Sequence, residues 1–158
     1  MHNARWFALS AVIVLLDQLT KQWALDSLIL HIPHKLLGVF NLTLAYNEGA
    51  AFSFLADHDG WQRWFLATVS LIASIAIAVW ILRLKPEEKW LTAALSLILG
   101  GAVGNLIDRV YYGHVVDFLD FHWNHSHFPA FNLADSAITL GAILLFIDMM
   151  IPKRKEHD

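Results

Sequence analysis

Four long apolar runs divide the chain, and polar stretches of different character separate them. The runs are Trp6–Leu25, Trp64–Leu82, Trp90–Ile107 and Phe131–Ile151. About 20 apolar residues in a helix cross a hydrocarbon core of about 30 Å, so each run predicts one spanning helix. The second and third runs carry no charge, whereas Asp17 and Lys21 interrupt the first, and Asp135 and Asp148 the fourth. Asp17 and Lys21 stand at i and i+4, acid before base, the favourable order for a helical ion pair. Neither is tolerated against lipid, so both are expected to face the bundle. In the third run, Gly100 and Gly104 form a small-xxx-small face that lets another helix approach closely, with Gly101 beside them.

A different period rules between the first two runs. Phe40, Leu42, Leu44 and Tyr46 alternate with Asn41, Thr43, Ala45 and Asn47, which predicts a strand. Asn47-Glu48-Gly49 reads as a turn, and Ala50-Ala51-Phe52-Ser53-Phe54 as a returning strand. A plain surface hairpin would give the same pattern.

Composition supports a membrane protein: 57% of residues are hydrophobic and 16% charged, against about 25% charged in soluble domains. The net charge of −3 says less than where the charges sit. Arg5, then Arg83, Lys85 and Lys89, then Lys153, Arg154 and Lys155 all fall on one side of a four-span arrangement. Basic loops stay inside, so that side is cytoplasmic and both termini lie there. The loops 26–63 and 108–130 are then outside. Tryptophans 6, 23, 61, 64, 80 and 90 cluster near span ends, as an interfacial belt does. Met1–Arg5 could open a cleavable signal peptide, but no small-x-small cleavage site follows, and Asp17 and Lys21 interrupt the apolar region. The 158 residues read as a single integral membrane domain with no internal repeat.

Candidate chemistry narrows by exclusion. The chain has no cysteine, no His-Glu-x-x-His and no Gly-x-Ser-x-Gly, so thiol, zinc-helix and serine-elbow hydrolysis are set aside. His122, His125 and His127 lie close together, but Trp, Phe and Pro among them suit an interfacial loop, and no metal is expected. Carboxylates remain at the outer face. Asp117 and Asp135 flank the re-entry into the fourth span, and two carboxylates sharing a proton form an acid/base pair. Asp108 and Asp120 compete with Asp117 on spacing alone; Asp120 would share its face in a helix and not in a strand. Arg109 offers five donors to a carboxylate or peptide carbonyl, or snorkels to headgroups. Asn132 is placed to cap the fourth span.

Five ordered blocks make the pattern specific: Asp17-Gln18-Leu19-Thr20-Lys21; Tyr46-Asn47-Glu48-Gly49-Ala50-Ala51-Phe52-Ser53; Gly100-Gly101-Ala102-Val103-Gly104-Asn105-Leu106-Ile107-Asp108-Arg109; Val115-Val116-Asp117-Phe118; and Phe131-Asn132-Leu133-Ala134-Asp135. Together they resemble bacterial lipoprotein signal peptidase, also called signal peptidase II. The resemblance implies an all-α membrane fold of four transmembrane helices, with a small extracytoplasmic β-sheet and a short membrane-surface helix from 31–60. It implies an aspartyl endopeptidase of the bacterial inner membrane that removes signal peptides from diacylglyceryl-modified prolipoproteins, just before the lipidated cysteine. Asp117 and Asp135 become the catalytic dyad. Asn47, Asn105, Arg109, Asn132 and Ala134 become substrate-binding or dyad-supporting positions, and Asp17, Lys21, Gly49, Gly101 and Gly104 structural supports. No cofactor and no nucleic acid are implied. The expected partners are the prolipoprotein, membrane lipids and the cyclic peptide inhibitor globomycin, and the expected state is a monomer. Two other classes fit parts of the pattern: a proton-coupled carrier using Asp17, Lys21 and Asp135, and a binding module for lipidated peptides. A carrier would often show a repeated half, and a binding module would not need both aspartates.

Overall fold

A computed structural model describes residues 2–49, 61–124 and 126–150. A 3-10 turn, His2–Trp6, leads into helix α1, Phe7–Ser27. Strands β1, His34–Leu37, and β2, Phe40–Asn47, precede helices α2, Trp61–Arg83, and α3, Lys89–Tyr111. Strands β3, Val115–Trp123, and β4, Ser126–His127, then precede helix α4, Leu133–Met150.

Helices α2, α3 and α4 are each long and apolar enough to cross a membrane. Helix α1 is as long, with 21 residues, but Asp17, Gln18, Thr20, Lys21 and Gln22 make its second half polar. All four overlap the runs expected to span. Helix α3 is central: 61% of its most apolar stretch is buried, against 17% in α2 and in α4, and it packs on each of the other helices. Helix α2 shows the inverse of a soluble helix. Gln62, Ala67, Ser74 and Ile81 are buried, while Phe65, Ile72, Ile75 and Leu82 face outward. Lipid is as apolar as leucine, so small and polar residues go to the helix contacts and large apolar ones to the outside.

Glycines set the close approaches. A methyl group on Gly100 would stand 2.8 Å from Cβ of Ile13 in α1. One on Gly101 would collide with the carbonyl oxygen of Ala134 in α4, and one on Gly141 would reach the carbonyl oxygen of Ala94 at 2.7 Å. The α3–α4 seam is therefore backbone against backbone. At the other end of the bundle, Asn3 donates to the carbonyls of Ile81 and Leu84 at 3.1 and 2.8 Å. It thereby satisfies carbonyls that the end of α2 leaves open.

The sheet is antiparallel in the order β1-β2-β3-β4. Strand β2 forms where alternation predicts it, but a bulge between Leu42 and Ala45 breaks its period. Asn41 and Leu44, out of phase in a regular strand, are both buried. The expectation that the sheet comes from 31–60 needs correction, because β3 and β4 supply half of its strands. Four of the first five β3 residues, Val115–Phe118, are buried, so the segment shows little polar-apolar alternation. The return strand expected at 50–54, and the part of the surface helix expected at 50–60, fall outside the described residues. Ala24, Leu44, Val116 and Phe118 form the cluster that joins α1 to the sheet.

Candidate active site

Two backbone devices bring the acidic residues together. Pairing of β3 with β2 sets Asp117 opposite Ala45 and beside Asn47. Helix α4 begins just after Asn132, whose Oδ1 accepts the N–H of Asp135 at 2.8 Å while Asp135 Oδ2 accepts the N–H of Asn132 at 3.3 Å. That is a reciprocal capping box, which fixes both side chains at the helix start.

Asn132 does more than cap. Its amide donates to Asp117 Oδ1 at 2.7 Å, tying the two acids to one residue. Asn105 of α3 donates to Asp135 Oδ1 at 2.8 Å. Its own Oδ1 accepts from Asn132 at 3.1 Å and from the Lys21 ammonium at 2.9 Å. Arg109, one turn further along α3, reaches the carbonyls of Asn105 and Gly49, each at 3.3 Å, and its charge acts on Asp135 and Asp117.

Asp117 is 2% exposed. Burial, with the neighbouring charge of Asp135, pushes its carboxyl up to about 7, against hydrogen bonds from Asn132 and Asn47 and the charge of Lys21. Near neutral pH Asp117 therefore keeps a proton more readily than an ordinary carboxyl does.

The rival aspartates have other partners. Asp108 is fully buried, paired to Lys21 at 2.8 Å, and accepts the N–H of Val116 at 3.0 Å. Asp120 accepts from Thr43 at 2.8 Å and from Asn41 at 3.3 Å, and contacts His127 at 2.9 Å. Because 115–123 is a strand, Asp117 and Asp120 point to opposite faces.

The remaining site residues divide by burial. Asn132 and Ala134 are both 0% exposed. Ala134 stands against Gly101 and Gly104, and its N–H donates to Asp17 at 2.9 Å. Both are thus enclosed by neighbouring elements, Asn132 by Asn105, Val116 and Asp117, and Ala134 by α3. Gly104 passes so close to Asp17 that a methyl group there would lie 2.6 Å from Oδ2. Gly49 offers its carbonyl to Arg109.

Reading the sequence missed two contributors. Gln18 donates to Asp108 at 2.9 Å and to Gly104 O at 3.2 Å. Arg63 donates to the carbonyls of Arg109 and Val110 at 2.8 and 2.6 Å, closing the end of α3. Arg63 sits at the start of α2, far in sequence from the end of α3, so no local signal marks its role. Among the described residues, no three His, Cys, Asp or Glu side chains gather as metal ligands. His122 and His127 stack at 5.2 Å, and His125 lies outside the described residues.

The profile of the family Signal peptidase (SPase) II matches residues 9–151. The chain belongs to the signal peptidase II family. Family relatives include a lipoprotein signal peptidase of Shewanella pealeana, 52% identical, with 93% of this chain and 86% of the relative aligned. The lipoprotein signal peptidase of Pseudomonas putida is 50% identical, with 97% and 92% aligned. A solved structure described as a bacterial membrane enzyme at 2.3 Å resolution superposes with a TM-score of 0.84 at 31% identity, covering 98% of this chain and 94% of that one. Family membership makes the chain a peptidase and a multi-pass membrane protein.

Proposed function

We propose that this protein cleaves the signal peptide from diacylglyceryl-modified prolipoproteins immediately before the lipidated cysteine, with Asp117 and Asp135 as the catalytic pair. The observation that carries the reading is the joining of two acids from separate elements through Asn132 and Asn105. The ionised carboxylate takes a proton from water as the water oxygen attacks the scissile carbonyl carbon. The protonated carboxyl donates to the carbonyl oxygen, giving a neutral gem-diol. Collapse of the gem-diol breaks the C–N bond: the carboxyl that took the water proton gives it to the departing nitrogen, and the other carboxylate takes a proton from one gem-diol hydroxyl, which restores the pair. Arg109 and Asn47 hold the peptide backbone, supplying hydrogen bonds that lipid cannot.

The location suits the substrate. Its signal helix and acyl chains stay in hydrocarbon, so the scissile bond comes to rest at the boundary where β3 meets α4. In this reading α1 is the fourth span, with Asp17 and Lys21 turned inward, and residues 1–158 form one domain. The basic loops face the cytoplasm and the site opens on the outer face of the inner membrane. Globomycin blocks the site by occupying the substrate's place, and the enzyme works as a monomer among membrane lipids.

The test is cleavage of a synthetic diacylglyceryl prolipopeptide by purified protein, followed by mass spectrometry. Wild type should cut before the modified cysteine, and Asp117→Asn and Asp135→Asn should each lose turnover while still binding globomycin. Near-wild-type cleavage by either variant removes that residue from the pair.

A further inference from the structure

Behind the dyad lies a second set of charges that peptide hydrolysis does not itself require. Lys21 is 2% exposed, and Asp17 and Asp108 are 0% exposed. The Lys21 ammonium meets Asp17 Oδ2 at 2.8 Å, Asp108 Oδ2 at 2.8 Å and Asn105 Oδ1 at 2.9 Å. An ammonium has three donors, so the set is complete. Apolar packing often replaces a buried ion pair without loss of stability, so stability alone does not account for such a cluster.

Its outward connections do. Asp17 Oδ1 accepts the N–H of Ala134 at 2.9 Å, and Ala134 directly precedes Asp135. Asp108 Oδ2 accepts the N–H of Val116 at 3.0 Å, and Val116 directly precedes Asp117. Asn105, its oxygen held by Lys21, turns its amide nitrogen onto Asp135 Oδ1 at 2.8 Å. Gln18 braces the cluster, donating to Asp108 at 2.9 Å and Asp17 at 3.2 Å. All three partners of one ammonium therefore hold the dyad, two through the N–H of the residue before each acid and one through a carboxylate oxygen.

We infer that Lys21 is the positioning residue of the aspartyl pair, a single cation that sets the placement of both carboxyl groups without touching substrate. This rests on the assignment of Asp117 and Asp135 above. Misplacing a reacting group by about 1 Å can cost on the order of 10²-fold in rate, and three tethers released together act on that scale.

The experiment compares kcat, KM and the pH profile of the full-length enzyme on the prolipopeptide for wild type, Lys21→Met and the charge-balanced Lys21→Met/Asp108→Asn. The second variant removes one positive and one negative charge, and its new amide still offers an oxygen to the Val116 N–H, so it guards against loss of fold. Turnover per folded enzyme should fall about 10²-fold in both, with KM within about twofold. In Lys21→Met the pH profile should also move to the alkaline side. A cation that acts on Asp117 is lost there, while Asp17, Asp108 and Asp135 stay and Arg109 remains to oppose them. Wild-type kcat and pH profile in both variants would overturn the inference. So would failure of both to fold, which would make Lys21 a stability element only. Asp117→Asn and Asp135→Asn, run beside them, separate the two readings: if these remain active, the dyad itself is wrong.

Discussion

Asp117 pulls against its own fold at neutral pH. Burial raises its carboxyl from the ordinary 3.8 to about 7, so the folded state favours the neutral acid. The stability this gives is complete below about 3.8 and is lost as pH rises through about 7. Asp117→Asn keeps an oxygen for the Asn132 amide and never ionises. It should therefore melt higher than wild type at pH 8, with the gain fading towards pH 4, in unfolding followed by tryptophan fluorescence. An equal melting point at both pH values would contradict the raised titration. Asp120 behaves oppositely. Burial alone would raise its carboxyl, but hydrogen bonds from His127, Thr43 and Asn41 outweigh burial and lower it. Its contribution is present above the ordinary 3.8 and disappears as pH falls through the lowered value. His127 is half exposed, so His127→Ala should cost about 1 kcal/mol or less at neutral pH and leave cleavage unchanged. A large loss of activity would place Asp120 nearer the chemistry than its contacts do. These two residues look alike in sequence, three positions apart, and only their partners make one an acid at pH 7.

Elements meet here through what their residues lack. The α3–α4 seam depends on Gly101 and Gly141, each facing a backbone carbonyl of the other helix. Backbone yields far less than a flexible side chain, so Gly101→Ala must push α4 away. The expected cost is about 1–3 kcal/mol, and the start of α4 moves with it, carrying Asp135. Thermal unfolding and kcat should fall together. Unchanged values would mean that the seam relaxes without moving the site. Helices and glycines were legible in the sequence because apolar length and small-residue spacing are local signals. Strand β3 was not. Its first four residues, Val115–Phe118, are all buried, so the alternation that reveals a half-solvated strand is missing. Its hydrogen-bonding partner, β2, lies about 70 to 80 residues earlier in the chain. The bulge in β2 was equally hidden, since an extra residue leaves the period-two pattern of the sequence intact.

On the scale of the molecule, α3 is a post around which the other helices and the sheet are arranged. The orientation proposed from the basic loops is simple to check, because the sequence contains no cysteine. His34 in β1 and Glu87 between α2 and α3 are both exposed. In intact cells stripped of their outer membrane, a membrane-impermeant maleimide should label His34→Cys and spare Glu87→Cys until the membrane is opened. The reverse pattern would invert the topology and put the site on the cytoplasmic side.

The sequence by itself determined that this chain lives in a membrane, where its helices run and which residue types could do chemistry there. Those properties depend on composition and on spacing along one element. It also carried the five motif blocks, because the family resemblance lies in the order of residues. Tertiary structure alone decided which carboxylates are tied to one another and what holds them. Asp108, Asp117 and Asp120 differ by their partners: Lys21 of α1 for the first, Asn132 just ahead of α4 for the second, and Thr43 and Asn41 of β2 for the third. A charge in low dielectric is defined by what lies within a few ångströms of it, and linear spacing does not encode that distance. The Lys21 cluster is the clearest case. An i, i+4 pair with Asp17 was visible on one helix, but its reach to Asn105 and Asp108, and through them to both catalytic candidates, exists only once α1 packs against α3.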